Sequence, residues 1–283
     1  MDRRLIYLLV ILALSVPLLT GYRVKAARME AAEQLFRTIE TLQVDPGQIA
    51  FVALDMGPST KAENEPQSEV LIEHLMRRRI PIALFSMSFQ AEPFLISIPE
   101  RAARRLMREY PGETWKYGSD WVNLGYRPGA ATLIQAIPKS ADLPGLFGKD
   151  AWGNNLRNVP AFAGVRTVRD IKLLAEVTGL IGAFDLYVAF FQAGQYKPIF
   201  VHGCTSITIP NTFIYMDSGQ LQGLLEGIAG AAWYSELLQQ RYPGREPDAS
   251  ENINTALGIA HLIVILLVVI GNMRSLLRRR GAL

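Results

Sequence analysis

The sequence predicts a three-layer, Rossmann-like α/β domain with a mostly parallel sheet, flanked by an N-terminal and a C-terminal transmembrane helix. Two observations carry that reading. Long apolar runs lie near both ends of the 283-residue chain. Between them, short runs that are apolar throughout alternate with stretches of helical periodicity, the pattern of a sheet covered on both faces.

Leu5 to Leu19 reads LIYLLVILALSVPLL behind Arg3 and Arg4. With Thr20, Gly21 and Tyr22 it approaches the roughly 20 residues a spanning helix needs. A cleaved signal peptide ends in a small-x-small site, and Gly21-Tyr22-Arg23-Val24-Lys25 is a poor one, so an uncleaved anchor over 5–22 is expected. The second run, Ala256 to Ile270 (ALGIAHLIVILLVVI), extends to Ile253 and Met273. Glu246, Asp248 and Glu251 precede it, while Arg274, Arg278, Arg279 and Arg280 follow. Arg and Lys accumulate on the cytoplasmic side, which puts the C-terminus inside and, with two spans, the N-terminus too. Arg23, Lys25 and Arg28 beyond the first span oppose this, so the second span decides.

The expected layout follows: cytoplasmic stretches at 1–4 and 274–283, spans at 5–22 and 253–273, and a juxtamembrane helix at 23–44. An extracytoplasmic domain occupies 45–243 and a polar linker 244–252, all in the inner (cytoplasmic) membrane. His261 falls inside the second span, where an ionisable group is a functional candidate. It has no second ionisable residue there as a partner, so a neutral imidazole bonding a neighbouring helix is the preferred reading.

The formal net charge is +3, and Arg3, Arg4, Arg23, Lys25, Arg278, Arg279 and Arg280 are among the basic residues that flank the two apolar runs. Nucleic-acid binders carry their basic residues on a face of the folded domain, so no nucleic-acid partner is expected. The single cysteine, Cys204, excludes an internal disulfide and a paired-cysteine zinc site.

Within the domain, Val24 to Leu42 is rich in helix formers and ends before the turn signal Asp45-Pro46-Gly47. Strands are expected at 49–54 (IAFVAL), 80–85 (IPIALF), 121–124, 184–191 and 198–201. Helices are expected at 68–79, 99–110, 130–137, 167–177 and, as one long element, 218–241. The stretch from Lys139 to Arg166 is irregular and rich in Gly, Asn and Pro. Loops of that length are usually functional or act as lids.

Ligands of an open parallel sheet bind beyond the carboxyl ends of the strands. That crevice would be lined by Asp55, Ser86, Ser88, Tyr126, Arg127, His202 and Cys204, with Asp120 and Asp217 nearby. In His202-Gly203-Cys204 an imidazolium could activate a thiolate, although residues two apart on a strand point the same way without meeting. A small buried hydrophobe is the ordinary role of such a cysteine. The sequence has no Gly-x-Gly-x-x-Gly after a strand, no Walker loop, no Gly-x-Ser-x-Gly and no His-Glu-x-x-His. No cofactor and no metal is expected.

Two helix faces suggest partners. Arg101, Arg104, Arg105 and Arg108 form a basic stripe. Gly219, Gly223 and Gly227, four apart, form a smooth strip suited to close helix contact. The leading expectation is a non-catalytic membrane-anchored subunit that assembles with itself, as a homo-oligomer, or with a partner membrane protein. The first alternative is an extracytoplasmic binder of a small ligand in the strand-end crevice. The second is a hydrolase or transferase using Cys204 and His202.

Overall fold

The structure, a computed structural model, describes residues 3–180 and 182–280, with the side chains of all of these but 3, 130 and 274–280. Of the expected cytoplasmic stretches at 1–4 and 274–283, residues 1–2 and 281–283 lie outside the described residues. The chain opens with α1 (Arg3–Thr20) and α2 (Glu30–Glu40). The alternation follows as β1 (Ile49–Asp55), α3 (Lys61–Arg77), β2 (Ile82–Ser86), α4 (Glu92–Glu109) and β3 (Trp121–Tyr126). The short α5 (Ala130–Ala136) and α6 (Leu143–Phe147) lead to β4 (Ile171–Thr178), α7 (Ala183–Phe191) and β5 (Ile199–Cys204). The chain continues through α8 (Ile209–Asp217), β6 (Leu224–Glu226), α9 (Gly227–Arg241) and α10 (Ala249–Arg280).

The six strands are all parallel, in the order β3-β2-β1-β4-β5-β6. The chain winds outward from β1 to one edge, returns to β4, and winds to the other, which is the doubly wound Rossmann order. α2, α3, α4 and α9 cover one face, packing Leu35, Val70, Leu95 and Ile228 over Val52, Leu84 and Leu173. α5, α6, α7 and residues 156–165 cover the other, around Phe51, Phe85, Leu174 and Phe200. The expected Rossmann-like α/β class holds.

Two elements exchange type relative to the sequence reading. The helix expected at 167–177 is strand β4, whose entry is a turn capped reciprocally by Thr167 and Asp170. The strand expected at 184–191 is helix α7. Its buried positions Phe184, Tyr187, Val188 and Phe191 recur at i, i+3, i+4 and i+7.

The single helix expected over 218–241 is broken by β6, and α8 precedes it. Gly219 (φ 72°) sits in a turn and Gly227 (φ 57°) is the first residue of α9, so Gly219, Gly223 and Gly227 make no strip along one helix. Gly223 has a different reason to be glycine. A Cβ there would stand 2.5 Å from Cα of Leu35, so this position lets α2 lie directly on the chain entering β6.

The segment from 139 to 166 is a packed layer and no free lid, since Leu143, Phe147, Leu156, Phe162 and Val165 are buried in the core beneath it. The juxtamembrane helix expected over 23–44 is shorter than its sequence suggested. Gly21 (φ 69°) ends α1 in a left-handed cap, its N–H bonding the Pro17 carbonyl at 3.0 Å, and helix resumes only at Glu30.

Among the described residues, one helix, over Ala249–Met273, is long and apolar enough to cross a membrane, and the apolar stretch Arg4–Thr20 is shorter. α1 packs along α10 in the opposite direction. Just past the end of α1, Arg23 donates to Asn252 Oδ1 (2.9 Å) and the Val24 N–H to Thr255 Oγ1 (3.0 Å).

Within the polar linker expected at 244–252, Arg245, Asp248 and Ser250 are buried while Gly244, Glu246 and Pro247 are exposed. The Arg245 side chain is fully buried, donating to Glu73 through Nε (2.7 Å) and Nη2 (2.9 Å), and it also pairs with Asp248. Arg77 (2.8 Å) and Arg105 (2.7 Å) complete the shell around Glu73. Arg245 Nη1 donates to Ser235 Oγ (2.9 Å), which donates to Asp248 Oδ2 (2.7 Å), so α3, α4, α9 and the start of α10 meet in one ionic cluster.

Candidate functional site

The winding reverses between β1 and β4, so their carboxyl ends are the natural ligand position of this sheet. Asp55 ends β1 with no exposed surface. Its Oδ1 accepts from the Ser86 hydroxyl (3.0 Å) and the Met87 N–H (2.6 Å), and its Oδ2 from the Tyr187 hydroxyl (2.8 Å). Burial raises the Asp55 carboxyl pKa, with these three donors pulling the other way. Thr178, at the end of β4, donates to the Asp55 carbonyl (2.7 Å) and accepts from the Leu180 N–H (2.9 Å). Asp55 therefore latches β1, β2, β4 and α7 together.

One strand further, His202 of β5 lies against Glu176 of β4. Its Nδ1 is 2.8 Å from both the Glu176 main-chain oxygen and its Oε2, and donation to the main-chain oxygen fixes the tautomer. Both Glu176 carboxyl oxygens remain buried without a hydrogen bond. Burial, then the nearby charges of Asp55 and Asp185, pushes the Glu176 carboxyl pKa well above the ordinary range. Burial lowers the His202 pKa to about 3. Both shifts favour the uncharged forms, an acid and an imidazole held out of water under Phe184, whose ring centroid is 4.3 Å from that of His202.

His202 also contributes to a small cavity of about 60 Å³ walled by Thr178, Phe184, Asp185, Thr208, Asn211 and Thr212. Leu180 and Gly182 complete the wall, whose surface is more apolar than polar. The threonine hydroxyls, the Asn211 amide and the Asp185 carboxylate are its hydrogen-bonding groups, which suits a small solute with an apolar body and a few polar atoms.

Cys204 is fully buried, and burial pushes its thiol pKa up to about 11. Its Sγ lies 3.8 Å from Thr212 Oγ1, whereas the His202 Nδ1 is committed to Glu176. A nucleophilic cysteine needs the opposite environment, with a lowered pKa and partial exposure.

The other sequence candidates divide by position. The Ser88 N–H bonds Ser86 Oγ (2.9 Å), Tyr126 meets Phe89 edge-on, and Arg127 donates to the Phe147 (3.1 Å) and Lys149 (2.5 Å) carbonyls, so all three belong to the carboxyl edge. Asp120 does not. It precedes β3 at the amino edge, where it accepts from the Lys116 N–H (2.7 Å) and pairs with Arg79 (3.2 Å). Asp217 closes α8, a helix that leads away from the carboxyl edge, and is likewise outside the crevice.

The basic stripe is neutralised residue by residue. Arg101 pairs with Glu65 and Glu69, Arg104 with Glu100, Arg105 with Glu73, and Arg108 with Glu246. His74 is buried between Tyr234 (2.6 Å) and Glu40 (2.9 Å) and ties α3 to α2 and α9. Among the described residues, no group of three or more His, Cys, Asp or Glu side chains is arranged to hold a metal ion.

Sequence reasoning missed Glu176, Thr178, Tyr187 and the Thr208-Asn211-Thr212 wall. The first three fell in the two elements whose types were exchanged. The wall had a legible signal, a Thr- and Asn-containing run directly after a strand. Comparison with known protein families, with curated proteins and with solved structures returned no match.

Glu176 makes stability depend on pH in a defined direction. A carboxyl whose folded pKa is raised contributes stability below its ordinary value near 4.5, and that contribution is lost as pH rises through the folded value. Within this window the loss is up to about 1.4 kcal/mol per pH unit. Glu176→Gln is expected to melt increasingly above the parent protein as pH is raised from 5 to about 8. Thermal melts in detergent followed by circular dichroism check this, and a difference that does not vary with pH would contradict it.

Proposed function

We propose that this is a membrane-anchored, non-catalytic subunit. α1 and α10 cross the bilayer as a helical hairpin, and the α/β domain stands on the extracytoplasmic side with both termini in the cytoplasm. The observation that carries the reading is the surface of the α1–α10 pair. Leu8, Ile11, Leu19, Leu262, Ile265 and Leu266 each expose about half or more of their surface. So large a continuous apolar exterior marks a lipid or protein interaction surface. The arginines after Met273 support the cytoplasmic assignment of that end.

Assembly, with itself or with partner membrane proteins, is favoured over chemistry because the groups at the switch point are engaged with one another. Asp55 has three donors, His202 Nδ1 is committed to Glu176, and burial holds the Cys204 thiol protonated. Native mass measured in mild detergent is expected to exceed that of one chain plus its detergent, or to include a co-purifying membrane protein. A clean monomer without partner would contradict assembly.

The small cavity over His202 supports a second reading, binding of a small extracytoplasmic ligand. Asn211 is exposed at its rim, so Asn211→Ala should leave the melting temperature of the free protein unchanged. Under this reading a solute that raises that temperature in a thermal-shift screen loses its effect in the variant. A shift that survives the substitution would place the solute elsewhere.

A further inference from the structure

We infer that the carboxyl edge of the sheet lies against the bilayer, with Phe89, Leu180 and Ile207 entering its headgroup region. The inference rests on the membrane-anchored reading above and adds to it an orientation and a lipid-contacting surface. The direction of the helices comes first. α9 starts at the carboxyl end of β6 and runs toward the amino edge. Asp248 and Glu251 accept from Ser235, midway along α9, while Ile253 shares a groove with Pro58 of the loop after β1 and Lys61 at the start of α3. α10 therefore climbs past the domain toward the carboxyl edge. Val24 meets Thr255 at the same level, so the chain arrives from α1 on that edge as well.

The second observation is the distribution of exposed apolar side chains. Phe89 (67% exposed), Leu180 (41%) and Ile207 (86%) stand on the loops after β2, β4 and β5. In the order β2-β1-β4-β5 they span three strand spacings, about 14 Å along the edge. The short loops of the amino edge, at 43–48, 78–81, 192–198 and 218–223, carry no exposed large hydrophobic side chain, and in the longer segment that enters β4 the exposed Trp152 (57%) lies against Tyr117 beside the outer strand β3. Solvent on both edges gives no reason for this asymmetry, whereas an interface on one edge does. Beneath Ile207, the carboxylate of Glu63 accepts from the Ser206 N–H (2.9 Å) and hydroxyl (2.5 Å), which pins the loop. Tyr22, exposed just past α1, has the amphipathic ring typical of the interface.

The test uses full-length protein in phosphatidylcholine–phosphatidylglycerol vesicles, with an environment-sensitive fluorophore on one introduced cysteine. The fully buried Cys204 is left in place. Ile207→Cys, and Phe89→Cys as a second probe of the same edge, should show blue-shifted emission and quenching by lipids spin-labelled near the headgroup. Gln43→Cys on the amino edge should show neither, and Leu266→Cys in α10 should be quenched by deep spin labels. If Leu266 is quenched while Ile207 and Phe89 behave as in water, the anchor stands and the edge contact is overturned. If Leu266 is not quenched, the membrane reading fails and the inference with it.

Discussion

Burying the guanidinium of Arg245 between Glu73 and Asp248 obliges the chain after α9 to turn back along the domain instead of trailing into solvent. Glu73 receives Arg245, Arg77 and Arg105 from three different segments, so its carboxylate has donors for every lone pair it exposes to the interior. Burial raises its pKa, and the three guanidinium groups more than offset this and hold it below the ordinary range. Removing one member of such a cluster strands a buried charge, which costs about 3–5 kcal/mol where it has been measured in other proteins. The cluster sets where α10 begins and in which direction it points, and through the Arg23 and Val24 contacts it sets the position of α1.

The domain beneath holds two kinds of buried carboxyl with opposite consequences. Glu73 and Asp248 have lowered pKa values, so their contribution is present above the ordinary carboxyl range and is lost as pH falls. Glu176, and to a lesser degree Asp55, have raised values, and their contribution is lost as pH rises. The first pair joins helices on one face of the sheet, and the second lies at the switch point on the other. The ionic cluster orients the anchoring helices. The switch-point groups border a small cavity at the same edge from which those helices leave.

Much of this was legible in the sequence, and the exceptions have physical causes. Fully apolar β1 and β2 announced a parallel sheet because both of their faces are covered. β4 escaped because a strand buried on both sides has no period of two, and Ile171, Leu174 and Ala175 happen to fall at helical spacing. α7 escaped for the complementary reason. Its aromatic and β-branched residues favour strands, while its helical spacing, visible in Phe184, Tyr187, Val188 and Phe191, was the better guide. The glycines at 219, 223 and 227 were read as a helix strip because their spacing was taken without backbone conformation. Two adopt positive φ, and the third permits a close approach to α2. The site was less legible than the fold. Asp55 and His202 were found by strand-end logic, but their partners Glu176 and Tyr187 lay in the two misassigned elements.

The account depends on the first turns of α10 belonging to the folded domain rather than to a flexible tether. Hydrogen–deuterium exchange of the full-length protein in detergent measures this directly. Amides from 253 to 257, the first with acceptors inside α10, should exchange as slowly as those of β1 and β4, opening only with the domain as a whole. Exchange of that segment as fast as the exposed coil at 21–29 would show that Arg245 does not hold the helix in place, and would contradict the account.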